Sequence, residues 1–268
     1  MVKLGIGCGE NKNVLLAVEL LKKEENFHIE IFKSDEELIS ALNSENFDAV
    51  IRGSLKSSNI LKNIKDIKSI KSIKNINNNK SNESKSIYRV SYIKSNINDK
   101  NYEFLLGPVG IDEGETLDEK MNLAIYGADF MTKIGKTPKI AILAGGRKED
   151  LGRSSAIDKS IEESEKLAGK IEKSLLTSMV LDDFSVKNYY ILIEKAVKEG
   201  NNIIIAPDGI IGNTIFRSLV LLSSWESYGA IALGIDKIFI DTSRDQTKEG
   251  YIRALRFAKN LVENDRIN

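Results

Sequence analysis

Short apolar runs alternate with amphipathic stretches along most of this chain, and that alternation limits the fold more than any other feature. Residues 2–6 and 28–32 have the length and apolar content of strands, and between them the apolar residues from 14 to 21 recur at helical spacing. A second amphipathic stretch, 35–42, leads to a third apolar run at 48–51. Alternating strands and helices predict a mainly parallel sheet covered by helices, which is an α/β fold.

The same alternation continues through the second half of the chain. A turn with Gly135 and Pro138 ends a predicted helix that begins near residue 117, and it is the best candidate for a lobe boundary. Beyond it the pattern predicts alternating elements: strands at 139–143, 202–206 and 237–240, a long helix near 157–175, and helices at 186–199 and 214–223.

Residues 59–86 differ in composition from the rest of the chain. The segment is rich in Lys, Ile and Asn, and its isoleucines recur every third residue, so that on a helix each would turn about 60° away from the last. The segment contains no arginine and no aromatic residue, which disfavours an RNA-binding arm. We predict a solvated, variable insertion.

Composition excludes several classes of protein. The 39 basic residues balance the 39 acidic ones, so no overall charge attracts nucleic acid or a membrane surface. Cys8 and His28 are the single cysteine and histidine, which excludes a disulfide framework and a metal site of Cys and His. No apolar run approaches the roughly 18 residues of a membrane span, and the start lacks a signal peptide, so we expect a cytoplasmic protein.

One candidate binding site is the turn PDGIIGN at residues 207–213, which follows a predicted strand. Gly209 and Gly212 would let a ligand approach the backbone next to Asp208, and Asn213 would lie where a helix begins and its free N–H groups attract anions. The alternative is an ordinary tight turn with Asn213 as the helix N-cap.

A second candidate site is the turn DTSRDQ after strand 237–240. Ser243 offers a hydroxyl, and Arg244 offers a charged, planar fork suited to phosphate or carboxylate. The alternative is a capping box made by Ser243 and Gln246. Further arginines follow predicted strands, and together they indicate an anionic ligand: Arg52, Arg147 and Arg153.

These motifs carry a resemblance. The segment IIIAPDGIIGNTIFRSLVLLSSWESYGAIALGIDKIFIDTSR resembles the C-terminal part of the phosphate acetyl/butyryl transferases and of the phosphate acyltransferases of lipid synthesis. With GPVGIDEGETLDEK and AILAGGRKEDLGRSSAIDKSIEESEKLAG, nearly the whole chain outside 59–86 is similar to the methanogen, and hence archaeal, family MtxX, named as a methyltransferase-related subunit X.

The resemblance implies a two-lobed α/β/α sandwich of the isocitrate and isopropylmalate dehydrogenase type. Its lobes would be residues 1–137 and 138–235, with 236–268 returning to the first lobe. The ligand, CoA or an acyl phosphate, would bind in the cleft between them. Ser243 and Arg244 match the catalytic serine and arginine of the transferases, and the turn at 207–213 matches their ligand-lining turn.

Two departures from the related motifs argue against specific activities. The transferases carry an aspartate that acts as a base early in the last helix. This chain has Gly250 there, which argues against acetyl phosphate chemistry. The turn GIGCGENKN looks like an AdoMet motif with Gly7 and Gly9 in place, but Gly5 and Asn11 stand where that motif needs an acid and a third glycine.

The sequence therefore predicts an acyl or phosphoryl-type transferase linked to methanogenesis that binds a phosphorylated small molecule. Two alternatives stay open: a subunit of a corrinoid-linked methyltransferase system, and a non-catalytic binding or regulatory protein. No resident cofactor or metal is expected, methyltransferase subunits are the candidate partners, and a homodimer stays open.

Overall fold

We describe the protein from a computed structural model, which covers residues 1–24, 28–56, 60, 87–178 and 183–267. By its contacts the chain divides into two compact units. Among the described residues, the first unit holds 1–24, 28–56, 60, 87 and 227–267, and the second holds 88–178 and 183–226. Except for Ile60, the predicted insertion at 59–86 lies outside the described residues.

The first unit is a sheet with the strand order β2-β1-β3-β10-β9. Its first four strands are parallel to one another, and β9 is antiparallel to β10. Helix α1 packs against α7, and α2 packs against the first three strands. The elements are β1 (Lys3–Gly7), α1 (Asn13–Glu24), β2 (His28–Phe32), α2 (Asp35–Asn43), β3 (Ala49–Ile51), β9 (Glu226–Leu233), β10 (Ile238–Asp241) and α7 (Lys248–Ile267).

The second unit is a sheet with the strand order β4-β5-β8-β6-β7. Strands β4 and β5 form an antiparallel hairpin, and the other neighbours are parallel. Its strands are β4 (Tyr88–Ile97), β5 (Lys100–Gly107), β6 (Lys139–Leu143), β7 (Ser185–Tyr190) and β8 (Ile203–Ile205). Its helices are α3 (Leu117–Lys133), α4 (Ser155–Ser178), α5 (Ile193–Lys198) and α6 (Gly209–Phe216), with a 3-10 turn at Lys148–Asp150 and a π-turn at Arg217–Leu222.

Local signals explain several of these boundaries. The Thr116 hydroxyl accepts from Glu119 N while the Glu119 carboxylate accepts from Thr116 N, both at 3.2 Å, and this capping box begins α3 where the sequence predicted a helix. Gly135 follows the helix with a φ of +77°, as expected of a glycine that ends a helix. No helix within the described ranges is long and apolar enough to span a membrane.

The sequence prediction was wrong for two helices. Residues 185–190 form strand β7, which pairs with β6, so the predicted helix at 186–199 shrinks to the short α5. The helix predicted to begin at Thr214 begins at Gly209, because Asp208 already caps it. Strand β9 was not predicted. The lobe limits given above remain a prediction. In the structure the second compact unit begins at residue 88, because β4 and β5 belong to the second sheet, and the first unit resumes at residue 227.

Candidate functional site

Four turns of the first unit surround an open pocket of about 430 Å³. They follow β1, β2, β3 and β10, which are parallel, so all four turns leave the same edge of the sheet. The chain passes from β1 to β2 on one side and returns to β3 on the other, and this reversal of strand order is where open α/β sheets bind ligands. The pocket is lined by Gly9, Glu10, Asn11, Lys33, Ser34, Asp35, Ser54, Leu55, Lys56, Arg244 and Asp245.

Arg244 is the sequence-predicted residue that lines this pocket. Its side chain is exposed, and no hydrogen bond or ion pair to its guanidinium is present in the described part of the chain. Its main chain, in contrast, is held firmly: the Arg244 carbonyl accepts from Asn11 Nδ2 at 2.8 Å and from the Tyr251 hydroxyl at 2.9 Å. A fixed main chain with an unengaged charged fork is suited to binding an anion.

The two residues that hold this turn are themselves fixed. Asn11 Nδ2 also donates to the Gln246 carbonyl at 3.0 Å, while its Oδ1 accepts from Asn13 N at 3.0 Å. Tyr251 is fully buried, and burial raises the pKa of its hydroxyl to about 12, so it remains a hydrogen-bond donor at physiological pH. Both side chains therefore act on the position of Arg244.

Arg52 has a different role from the one the sequence suggested. It is only 5% exposed, and its guanidinium donates to the Asp241 carboxylate and to the carbonyls of Leu55 and Thr242. These contacts join the ends of β3 and β10 beneath the pocket. Arg52 was predicted to bind the ligand because it follows a strand directly, but its charge is compensated inside the fold.

The glycines after β1 serve backbone packing. A Cβ atom on Gly7 would lie 2.4 Å from the Arg52 carbonyl oxygen, and one on Gly9 would lie 2.6 Å from the Ser54 carbonyl oxygen. Gly9 N donates to Ser54 Oγ at 2.8 Å, which closes the β1 turn onto the β3 turn. The resemblance of GIGCGE to an AdoMet motif is explained by this close approach of two turns.

Gly250 lies at the position where the transferases that the sequence resembles carry their aspartate base. Gly250 is buried, and a Cβ atom there would lie 2.3 Å from the Gln246 side chain. Ser243 is half-buried, and the capping box of Ser243 and Gln246, which was the alternative interpretation of this turn, is absent from the described contacts: Thr247 Oγ1 accepts from Gly250 N at 3.1 Å and caps α7 instead.

The PDGIIGN turn lies in the second unit, and two of its main-chain N–H groups and one side-chain amide already donate to protein groups. Gly209 N donates to the Glu113 carbonyl at 3.0 Å, and Ile211 N donates to Asp208 Oδ1 at 2.8 Å. Asn213 Nδ2 donates to the Val109 carbonyl at 3.0 Å. Asp208, and not Asn213, is therefore the N-cap, and this helix start offers an anion fewer donors than the sequence indicated.

The two glycines of that turn also contact protein. A Cβ atom on Gly209 would lie 1.7 Å from the Gly110 carbonyl oxygen, and one on Gly212 would lie 1.9 Å from the Pro108 carbonyl oxygen. The loop after β5 thus occupies the space into which we expected a ligand to reach. Glu113 holds this loop: it accepts from Arg89 Nε at 2.5 Å, and burial raises the pKa of its carboxyl despite that ion pair.

Arg147 and Arg153 lie in the turn after β6, also in the second unit. Arg153 Nη1 contacts Asp150 Oδ1 at 2.7 Å, and Arg147 N donates to Asp150 Oδ2 at 2.8 Å. The hydrogen bond from Arg147 N and then that from Arg153 lower the pKa of Asp150. Because this pair is exposed to solvent, it organises the turn only weakly.

The structure thus divides the predicted site residues between the units. Arg52, Ser243 and Arg244 lie in the first unit, and Asp208, Gly209, Gly212, Asn213, Arg147 and Arg153 lie in the second. Sequence reasoning missed most of the pocket lining, although Lys33, Asp35 and Lys56 follow strands just as Arg244 does. Within the described residues, no group of His, Cys, Asp and Glu could hold a metal ion.

Comparison with known proteins identifies the family. No protein-family model matches the chain. An "Uncharacterized methyltransferase" of Methanocaldococcus jannaschii is 32% identical over 263 residues, which cover 96% of this chain and 97% of that protein. A "Putative methyltransferase mtx subunit X" of Methanosarcina mazei is 36% identical over 208 residues, 77% of this chain and 65% of that protein. The chain belongs to the MtxX family.

Solved structures show which fold this MtxX protein shares. A branched-chain phosphotransacylase from Enterococcus faecalis superimposes with a TM-score of 0.67 at 17% identity, covering 98% of this chain and 99% of that one. The EutD phosphotransacetylase from Staphylococcus aureus gives 0.67 at 13% identity over 98% and 94%. An isocitrate dehydrogenase from Methylococcus capsulatus gives 0.51 at 9% identity over 99% and 87%. The predicted α/β sandwich of the isocitrate dehydrogenase type is confirmed.

Proposed function

We propose that this MtxX protein binds a phosphate-bearing small molecule of the CoA or acyl phosphate type in the pocket of the first unit and acts in a transferase reaction linked to methanogenesis. The main support for this proposal is the position of Arg244, whose guanidinium is unengaged and lies on a fixed turn beside an open pocket. Relatives named as methyltransferases and neighbours named as phosphotransacylases support the transferase class.

The chemistry of Arg244 favours phosphate over a neutral ligand. A guanidinium forms two parallel hydrogen bonds with phosphate, and such a charged contact contributes about 1.5–3 kcal/mol in all. Lys33 and Lys56 add positive charge at the same pocket. Ser243 precedes Arg244 in the chain and matches the catalytic serine of the transferases that the sequence resembles. It is half-buried, so part of its surface remains accessible to a ligand.

A second candidate function is an accessory, ligand-binding subunit of a methyl-transfer system in a cytoplasmic assembly. Gly250 favours it, since this position has no side chain to remove a proton and is covered by Gln246. The name of the Methanosarcina relatives as a subunit is consistent with it. Predicted partners are then other methyltransferase subunits, and a homodimer stays a prediction.

The test is equilibrium titration of CoA and pyrophosphate with three variants. We expect Arg244→Ala to weaken binding by roughly ten- to hundredfold, because it removes a charged pair of hydrogen bonds, and Arg244→Lys to restore only part of it. Arg217→Ala is the matched control, an exposed arginine outside the pocket lining. It should bind both ligands like the unmodified protein.

Two outcomes are decisive. Equal affinity of the Arg244→Ala and Arg217→Ala variants, with unchanged urea melts, would contradict the site. Acyl transfer from acyl phosphate to CoA, measured with the unmodified protein, separates the two functions: turnover supports the transferase, and binding without turnover supports the accessory subunit.

A further inference from the structure

We propose that the pocket binds a nucleotide, with Asp35 holding its ribose hydroxyls at the end of β2 while Arg244 holds its phosphate at the end of β10. This inference rests on the proposed function, because it takes Arg244 as the phosphate contact. The inference goes beyond the proposed function because it places a second, chemically different contact at the other end of the same pocket.

The strand order gives the pocket its length. Strands β2 and β10 are separated by β1 and β3, so their ends lie three strand spacings, or about 14 Å, apart. Residues after both strands line the one pocket. An inorganic phosphate could reach only one of these ends, whereas a molecule with a sugar and a phosphate can contact both.

Asp35 is available for a ligand because the helix it begins is capped by its neighbours. The Ser34 hydroxyl accepts from Glu37 N at 3.2 Å, and Lys33 N donates to the Glu37 carboxylate at 2.7 Å. These two bonds cap α2 without Asp35, which is half-buried and lines the pocket. No hydrogen bond or ion pair to its carboxylate occurs among the described residues.

The chemistry of a carboxylate fits ribose at this place. An ionised carboxylate only accepts hydrogen bonds, so it selects hydroxyl donors and repels phosphate. In α/β sheets of this kind, an acidic side chain that follows the strand next to the glycine turn is placed to accept from ribose hydroxyls. Asp35 occupies that position, after β2 and beside the Gly7–Gly9 turn of β1.

The charged side chains that line the pocket favour a ligand with negative charge at one end and hydroxyl groups at the other. Three cations, Lys33, Lys56 and Arg244, are matched by three acids, Glu10, Asp35 and Asp245. A ligand that is anionic throughout would meet as many repulsive as attractive groups. A nucleotide concentrates its negative charge at one end and presents hydroxyl donors at the other.

The experiment compares two charge-removing substitutions on one helical turn. ADP and 2′,3′-dideoxy-ADP are titrated into Asp35→Ala, Asp35→Asn and the matched control Glu36→Ala, which removes the same charge beside the pocket. We expect Asp35→Ala to weaken ADP binding about tenfold and to leave the dideoxy nucleotide unchanged, since hydroxyl bonds to a charged group are strong. Glu36→Ala should alter neither, and Asp35→Asn should be intermediate.

The inference is overturned if Asp35→Ala changes both nucleotides alike, if Glu36→Ala has the same effect, or if the unmodified protein does not bind ADP. Pyrophosphate titrated into Arg244→Ala separates this failure from failure of the proposed function, because pyrophosphate has no ribose. AdoMet carries ribose without phosphate, so it should bind at least tenfold more weakly than ADP. Tighter AdoMet binding would overturn the assignment of Arg244 to a phosphate.

Discussion

Asn11 forms hydrogen bonds with residues in two other turns around the pocket. Its side-chain amide donates to the carbonyls of Arg244 and Gln246, and its own carbonyl accepts from Ser54 Oγ at 3.3 Å. Thus one residue after β1 connects the turns after β3 and β10. A glycine at this position would form none of the side-chain bonds, which explains why an asparagine stands where an AdoMet motif has its third glycine.

A double-mutant cycle tests whether Asn11 positions Arg244. Asn11→Ala should weaken CoA or pyrophosphate binding by about fivefold or more in the unmodified background, since residues joined by hydrogen bonds couple by about 0.5–3 kcal/mol. In the Arg244→Ala background the same substitution should have almost no further effect. Titration of the four proteins gives the coupling, and equal losses of affinity in both backgrounds would show that Asn11 acts on binding independently of Arg244.

The element that decides the geometry of the pocket is the pair of turns after β1 and β3. Gly53 has a φ of +65°, and a Cβ atom there would lie 1.7 Å from the Gly7 carbonyl oxygen. Ser54 N donates to that same carbonyl at 3.1 Å. The left-handed backbone and the close approach both require glycine, so this turn has a single acceptable residue at its centre.

We therefore expect Gly53→Ala to lower the free energy of unfolding by about 2–4 kcal/mol, the sum of left-handed strain and a backbone clash. Gly135→Ala is the matched control. Its φ is +77°, but no atom lies within 4 Å of the added Cβ, so strain alone should cost about 1–2 kcal/mol. Urea melts of both variants measure the difference, and equal costs would show that the two turns do not press on each other.

At the scale of the whole molecule, the chain forms two α/β units, and the first of them is made from separate N-terminal and C-terminal segments. The first unit combines an N-terminal part with residues 227–267, while the described residues of the second run from 88 to 178 and from 183 to 226. Arg244 and Asn11 are thus brought together from positions 233 residues apart. Formation of the pocket needs the last helix, which supplies Tyr251.

Deletion of residues 68–82 tests the predicted insertion, most of which lies outside the described residues. We expect unfolding to stay cooperative and its midpoint to change little, because the sequence there has no sustained apolar face and loop closure depends weakly on length. Thermal and urea melts with and without the segment provide the measurement. Loss of a cooperative transition would mean that its isoleucines belong to the core.

The sequence predicted most of the strands but missed β7 and β9. Buried runs such as β8 and residues 140–143 of β6 are apolar throughout and are recognisable by composition. The segment 185–190 is mixed, with half-buried and exposed residues, and pairing with β6 makes it a strand. A short mixed segment carries no decisive local preference, so its partner determines its conformation.

The sequence by itself determined the α/β class and the family, and it predicted Arg244 as a ligand-binding residue, because periodicity, turn residues and a charged residue after a strand are local properties. Tertiary structure alone decided which charged residues face the pocket. Arg52 and Arg244 both follow strands, but Arg52 is enclosed by Asp241 and two carbonyls, whereas Arg244 faces open space. The difference arises because the partners come from distant parts of the chain, and pairing over such distances depends on the assembled sheet rather than on local sequence.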